Sequence, residues 1–150
     1  AKGMLRVKRI GLRDDLRGVV ASINSARWDA ANDMVPYRLE DLAAYLACAG
    51  TVFLTCQDGE HFLGMGSGRI QLKPYDRERW FYLDELDVAV DQRQRGAGAA
   101  LVKGFLELAR AEGCIELWLG TELDNAAARA LYRSLEPSDE EAFVGYNFRL

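Results

Sequence analysis

The chain has 150 residues, 49% hydrophobic and 28% charged, which is the size and composition of one folded globular domain rather than a disordered segment. Lys and Arg number 19 against 23 Asp and Glu, and the net charge of −4 disfavours long-range attraction to nucleic acid or to an anionic membrane. One histidine and three cysteines almost exclude the usual multi-histidine or multi-cysteine metal sites, and a Ser-His-Asp centre would have only His61 to use.

No apolar run long enough for a signal peptide follows Ala1-Lys2-Gly3-Met4, and the first three residues read as a lead before the natural start at Met4. No stretch approaches the roughly 20 apolar residues of a membrane helix. Cys48, Cys56 and Cys114 each lie in an apolar run and match no zinc spacing. They are expected as buried free thiols in a reducing, cytoplasmic setting.

Residues 5–10 alternate as a first strand. Asp14 or Asp15 then caps an apolar-periodic helix through Leu16, Val19, Val20 and Ile23. Residues 24–35, with Trp28 and Met34, are mixed and suit a short helix or an irregular lid ended by Pro36. Leu39, Leu42, Ala43, Leu46 and Ala47 recur at helical spacing, and Gly50 closes that helix. Residues 51–57 and 62–72 form a hairpin around Asp58-Gly59. A turn over 74–78 leads into a long strand over 79–90. A helix through Leu101, Phe105, Leu108 and Ala109 stops near Gly113. A buried strand over 115–120, a helix over 126–135 and a last strand over 142–150 complete the chain. The order β-α-α-β-β-β-α-β-α-β predicts an α/β fold with a mixed central sheet, in one domain over 1–150.

The most informative segment is Val88-Ala89-Val90-Asp91-Gln92-Arg93-Gln94-Arg95-Gly96-Ala97-Gly98-Ala99-Ala100-Leu101. A Val-rich strand passes through arginines and glycines straight into a helix. Glycine lets the backbone approach a ligand closely. The N–H groups of Gly96, Ala97, Gly98 and Ala99 and the positive end of the helix favour an anion, and Arg93 and Arg95 add charge-assisted donors. The pattern suits a pyrophosphate; the plainer alternative is a helix start with solvated arginines. It lacks the first glycine of a dinucleotide fingerprint and the Lys-Ser or Lys-Thr pair of a Walker loop.

Arg93-Gln94-Arg95-Gly96-Ala97-Gly98 resembles the acetyl-CoA motif Arg/Gln-x-x-Gly-x-Gly/Ala of the GNAT acetyltransferase superfamily. Asn125-Ala126-Ala127-Ala128-Arg129-Ala130-Leu131-Tyr132 resembles that superfamily's Asn-x-x-Ala-x-x-Leu-Tyr helix. One helix and one strand separate the two motifs, as in the family. Where the family continues Tyr-x-x-x-Gly-Phe, this chain has Glu136 in place of the glycine.

The resemblance implies a GNAT acyl-CoA N-acyltransferase fold, with the sheet splayed between strands 4 and 5 and the thioester lodged in the gap. It implies acetyl-CoA as the cofactor, with no metal. Val88 and Val90 would pair with the pantetheine amides, and a backbone N–H near Val88 to Ala89 would polarise the thioester carbonyl. Arg93, Arg95 and Gly96 to Ala99 would hold the pyrophosphate. Asn125 would bond the pantetheine arm or order its loop. Tyr132 would protonate the departing thiolate as general acid, or else pack on the buried face of its helix.

The strand Tyr82-Leu83-Asp84-Glu85-Leu86-Asp87-Val88 is unusually acidic for the centre of a sheet. Period two puts Glu85 and Asp87 on one face and Asp84 with Leu86 on the other. Buried carboxylates are costly without a cation against them, unless the strand is an exposed edge. Next to the cofactor motif, Asp87 is placed to hold an ammonium and accept its proton, and Glu85 extends the same wall. Glu122, Asp124, Asp139, Glu140 and Glu141 read individually as solvated loop charges and together as the lining of a cleft for a cationic substrate.

Residues 82–90 also resemble the Tyr-Asp-Leu-Ala-Val stretch of the aminoglycoside 3-N-acetyltransferases of the gentamicin-resistance type, with Asp87 on their aspartate. Ala130-Leu131-Tyr132 and the Glu140-Glu141 pair match that family too. The implied acceptor is the 3-amino group of an aminoglycoside, with another small polyamine, a protein N-terminus or a lysine as alternatives. A non-catalytic acyl-CoA-binding module is the competing class. Nucleic-acid binding finds support only in Arg93 and Arg95, and the carboxylates would repel phosphate.

His61 after its hairpin turn reads as solvated. Gly64, Gly66 and Gly68 share one strand face, either for close packing or in a flat bulged strand. Trp28, Tyr37 and Trp80 are candidates to shape the acceptor site, whereas Trp118 reads as core. The resemblance implies a homodimer, which no residue of the chain marks.

Overall fold

A computed structural model of the protein describes residues 4–150, and Ala1, Lys2 and Gly3, with the expectation of a lead before Met4, lie outside the described residues. The chain divides into two compact units, Ala1–Leu119 and Gly120–Leu150.

The first unit is built on a five-stranded sheet in the order β1-β2-β3-β4-β5. Strands β1 (Leu5–Arg9), β2 (Thr51–Asp58), β3 (His61–Leu72) and β4 (Arg79–Val88) pair antiparallel, and β5 (Glu116–Trp118) runs parallel to β4. The mixed central sheet is therefore the one expected. Helices α1 (Leu16–Ser25) and α2 (Leu39–Ala47) flank a single 3-10 turn, Ala30–Asn32, and α3 (Ala97–Ala111) carries the chain from β4 to β5. Of the two candidate caps, Asp15 closes α1 by accepting from the Gly18 N–H at 3.1 Å, while Asp14 accepts from the Gly11 N–H at 2.7 Å and pairs with Lys8 at 2.9 Å.

Successive strand residues face opposite sides of a sheet. Phe53 and Met65 join Ile10, Leu16, Ile23 and Leu42 in the core beneath α1 and α2. Their neighbours Leu54 and Gly66 turn to the other face, under α3. A Cβ on Gly66 would stand 2.6 Å from the Phe105 ring of α3, and one on Gly68 2.5 Å from the Phe81 ring. Close packing accounts for both glycines.

Three expectations in this unit are corrected. Strand β4 ends at Val88 instead of residue 90, because the Val90 N–H leaves the sheet for the Arg27 carbonyl at 2.8 Å. Strand β5 is three residues long and only part-covered: it is the outermost strand, and Ile115 and Trp118 are exposed rather than core. Cys48 is exposed at the end of α2, where the apolar run leaves the core, whereas Cys56 is buried and Cys114 half-buried. His61 is exposed as expected.

In the second unit, Asn125 caps α4 (Ala126–Ser134) by accepting from the Ala128 N–H at 3.1 Å. Glu136 stands at φ 56 just past the helix, the left-handed position where the family's motif has glycine. The expected last strand over 142–150 is not formed, and Phe143, Val144, Tyr146 and Phe148 are exposed. Alternation selects the face that a segment can bury and does not by itself make it a strand.

The Gly66 contact predicts that Gly66→Ala costs about 1–3 kcal/mol by overpacking and lowers the melting temperature by several degrees. Gly145→Ala, where a Cβ meets nothing within 4 Å, leaves it unchanged. Thermal melts of both variants check this; equal melting would mean that Phe105 yields freely.

Candidate active site

The register of β3 on β4 pairs Ser67 with Glu85 and Gly68 with Leu83, so Asp84 is an extra, bulged residue. Before the bulge, Phe81 and Leu83 point toward α3. After it, Leu86 and Val88, opposite Gly66 and Gly64, take over that face. Glu85 and Asp87, opposite Ser67 and Met65, are delivered to the α1–α2 side. Without the extra residue both carboxylates would continue in the phase of Phe81, into the core under Phe105. The bulged Asp84 itself is exposed and pairs with Arg69 at 3.5 Å.

Glu85 and Asp87 line a cavity of about 380 Å³ together with Leu86 and with Asn32, Asp33, Met34 and Tyr37 from the segment between α1 and α2. Asn32 Nδ2 donates to Asp87 Oδ1 at 2.9 Å. Burial first, and the Glu85 carboxylate second, hold Asp87 above its ordinary value. Burial, then Glu85 and Asp87, push the Tyr37 hydroxyl up to about 12, so it keeps its proton at every physiological pH. The site therefore holds a proton-hungry carboxylate, a second carboxylate and a neutral phenol. That combination attracts a cation and can take a proton from it.

Alongside lies the loop that opens α3. Gly96 occupies the left-handed region at φ 84 and Gln94 that at φ 66. No side chain caps α3, as none caps α2, whereas Asp15, Asp29 and Asn125 cap the helical turns that follow them. Unlike α2, with Glu40 and Asp41, α3 carries no acidic residue in its first turn, so the N–H groups from Ala97 to Ala99 stand at the positive end of a 15-residue helix without a side-chain cap. Arg93 pairs with Asp29 at 3.0 Å. Arg95 donates to Gln92 Oε1 at 2.6 Å and pairs with Asp58. Both arginines are thus anchored by carboxylates instead of standing free in solvent.

Just past β4 the Ala89 N–H is already bonded to the Leu63 carbonyl at 2.9 Å, and the Val90 N–H to the Arg27 carbonyl at 2.8 Å. Of the backbone donors expected to serve the cofactor, Ala89 for the thioester and Val90 for a pantetheine amide, these two are committed. Backbone alternation turns the Val88 N–H and carbonyl to the opposite edge of β4. That edge is paired with β5 only over Trp80–Glu116, Phe81–Leu117 and Tyr82–Trp118. The sheet is therefore open beside Val88.

The remaining expected residues lie in the second unit. Asn125 is the α4 cap described above. Glu140 is gripped by Arg133 Nε and a second guanidinium nitrogen, both at 2.8 Å, with Arg129 at 3.8 Å, which holds it below the usual glutamate range. Within this unit its carboxylate is therefore paired with two arginines. The Glu122 and Asp124 carbonyls accept from the N–H groups of Asn125 and Ala126 as the chain turns into α4, and Asp139 and Glu141 are exposed. Tyr132 lies on α4 and is half-buried. Sequence reading missed Asn32, Asp33 and Asp29 altogether and named Tyr37 only as a candidate. The sole signal was the irregular, Asn- and Asp-rich composition of residues 24–35. Among the described residues, no cluster of three or more His, Cys, Asp or Glu could hold a metal ion, and no helix is long and apolar enough to cross a membrane.

The model of the acetyltransferase (GNAT) family matches residues 20–136. N-acetyltransferase family 8 member 3 of Mus musculus is 29% identical over 107 residues, 71% of this chain and 47% of its own length. The chain thus spans about half the length of that curated relative. Among solved structures, the aminoglycoside acetyltransferase meta-AAC0020 from an uncultured soil metagenomic sample, in complex with sisomicin, superposes with a TM-score of 0.84 at 19% identity, over 97% of this chain and 96% of that one. The aminoglycoside acetyltransferase HMB0005, also from an uncultured soil metagenomic sample, gives 0.79 at 22% identity, over 98% and 99%. At such identities the likeness is one of fold, and it is the GNAT acyl-CoA N-acyltransferase fold. The family match runs from α1 through β4, the glycine loop and α4, and the chain belongs to the GNAT acetyltransferase family.

Proposed function

We propose that the chain works as one N-acetyltransferase domain over 1–150, moving the acetyl group of acetyl-CoA to a primary amine of a cationic molecule. The observation that carries this reading is Asp87: a half-buried carboxylate beside Glu85, in a cavity that adjoins the open edge at Val88. The cofactor fits the residues present. An uncapped helix end, a left-handed glycine and two arginines suit a pyrophosphate, and the unpaired edge at Val88 suits an extended amide chain.

Acetyl-CoA, when bound, supplies the thioester that the amine attacks. Glu85 and Asp87 draw in the ammonium, and Asp87 takes its proton, directly or through one water, so that the neutral amine is the nucleophile. The Val88 N–H is the backbone donor left for the thioester oxygen. From the resemblance of its helix to the family's, Tyr132 would be the general acid for the thiolate. Arg93 and Arg95 would exchange part of their pairing with Asp29 and Asp58 for phosphate oxygens.

The acceptor is proposed at two levels. The mouse relative is named for N-acetylation alone, and this favours the broader set: a polyamine, a protein N-terminus or a lysine. The resemblance of residues 82–90 and the fold likeness to two aminoglycoside acetyltransferases support the narrower one, the 3-amino group of an aminoglycoside and with it a role in antibiotic resistance.

A thiol-release screen of acetyl-CoA against aminoglycosides, polyamines and peptides is expected to show CoA formation with at least one cationic class; silence across the panel would favour a non-catalytic acyl-CoA module. Asp87→Asn is expected to lower kcat/KM by about 100-fold or more while acetyl-CoA affinity stays within a few-fold, and undiminished turnover would remove Asp87 from the chemistry. Tyr132→Phe is expected to lower kcat more than cofactor affinity.

The same Asp87→Asn variant also tests the electrostatics. The folded state raises the Asp87 pKa, so it binds the proton more tightly than the unfolded chain does. The associated stability is present below the unfolded value of about 3.9 and is lost as pH rises through the folded value. Asp87→Asn removes that loss. Its melting temperature is expected to exceed the parent's at pH 7, with the gap closing as the pH falls below the unfolded value. A lower melting point at pH 7 would show Asp87 to be stabilised, not penalised, in its ionised form.

A further inference from the structure

The segment between α1 and α2 is tied down at three points. The Arg27 carbonyl accepts the Val90 N–H at 2.8 Å, Asp29 pairs with Arg93 at 3.0 Å, and Asn32 donates to Asp87 at 2.9 Å. The first two partners belong to the glycine–arginine loop and the third is the carboxylate read as the base. Between these ties the backbone is closed on itself. Asp29 Oδ1 accepts the Ala31 N–H at 3.0 Å and its carbonyl accepts the Asn32 N–H at 3.0 Å. Asp33 ends the turn in the left-handed region at φ 45. The Ala31 N–H, and then Arg93, hold the Asp29 carboxyl below its ordinary range.

We propose that Asn32 is a positioning residue for Asp87, and that the turn through Asp29 is a strap by which the glycine–arginine loop keeps Asn32 in place. This rests on the reading of Asp87 as the base. An amide donor suits the task better than a cation. Its N–H occupies Oδ1 and stops rotation of the carboxylate, so Oδ2 is left for the ammonium, and the negative charge that attracts the ammonium is not neutralised. The ionisable groups around Asp87 are Glu85 from its own strand, Tyr37 from the segment before α2 and Asp33 from the strap, while β3 presents Met65 opposite. Each of these ionisable groups is neutral or anionic, and Asn32 is the donor that favours the ionised carboxylate against them.

The test is the acid limb of kcat/KM against pH, measured with any amine that the parent acetylates. Asn32→Ala removes a hydrogen bond to a charged group, and the limb is expected to move up by about one pH unit. Asn32→Asp, of the same shape but anionic, is expected to move it further. Asn32→Gln, which keeps the amide on a longer arm, is expected to recover part of the shift. Asp29→Ala, which touches nothing at Asp87, is expected to shift the limb in the same direction and to add little on top of Asn32→Ala, the signature of residues acting through one another. Acetyl-CoA affinity of Asn32→Ala is expected to stay within about twofold.

If Asp87→Asn abolishes turnover and the parent shows an acid limb, but the limb stays put in folded Asn32→Ala and Asn32→Asp, the positioning role is overturned and the base survives. Full additivity of Asp29→Ala with Asn32→Ala overturns the strap. If Asp87→Asn retains turnover, the base reading fails and takes this inference with it.

Discussion

One extra residue in β4 decides where two negative charges go. A strand alternates faces without exception unless its register is broken, and β4 breaks it at Asp84. Upstream, the odd-numbered residues Phe81 and Leu83 are buried under α3; downstream the even-numbered Leu86 and Val88 take that face. An unbroken ladder would drive Glu85 and Asp87 against Phe105, with no cation to meet them, at a cost the fold could not carry. With the bulge they stand at the wall of a cavity, Glu85 exposed and Asp87 half-buried. Ionisation of Asp87 is made harder there without being prevented.

The cofactor side follows from the same strand. Strand β4 meets β5 over only three residue pairs, so its outer edge is unpaired where the bulge has aimed the acids. Just beyond, the Val90 N–H abandons the sheet for Arg27, and the chain turns into a helix that no side chain caps. Acid, open backbone edge and uncapped helix end therefore come in that order along about fifteen residues. On the proposed function, a cationic amine and an anionic cofactor would be drawn to neighbouring places by opposite charges. The net charge of −4 is a sum over both, and the two arginines of the loop are themselves anchored by Asp29 and Asp58.

What could be read from the sequence was what is local. The glycine–arginine loop and the acids of β4 each depend on residues a few positions apart, and each was legible, whereas the capping bond of Asn125 to the Ala128 N–H was not named. The mixed sheet followed from the order of periodic segments. Asn32 was not legible, because its role lies in one bond to a residue 55 positions away. The bulge was hidden as well: period two correctly separates Glu85 and Asp87 from Leu86, but only the register on β3 shows which face they share with Met65. The strand over 142–150 and the core placement of Trp118 failed for the opposite reason. Alternation and apolar character describe what a segment is able to bury, whereas pairing and burial depend on a neighbour that sequence pattern does not name.

The account turns on Asp87 meeting the acceptor amine, and a structure of the protein with CoA and an accepted amine tests this most directly. It predicts the reacting nitrogen in the cavity beside Glu85, about 2.6–3.2 Å from the Asp87 carboxylate or joined to it by one water, with Asn32 still on the other oxygen. An amine bound against a different wall, with Asp87 touching only Asn32, would contradict it.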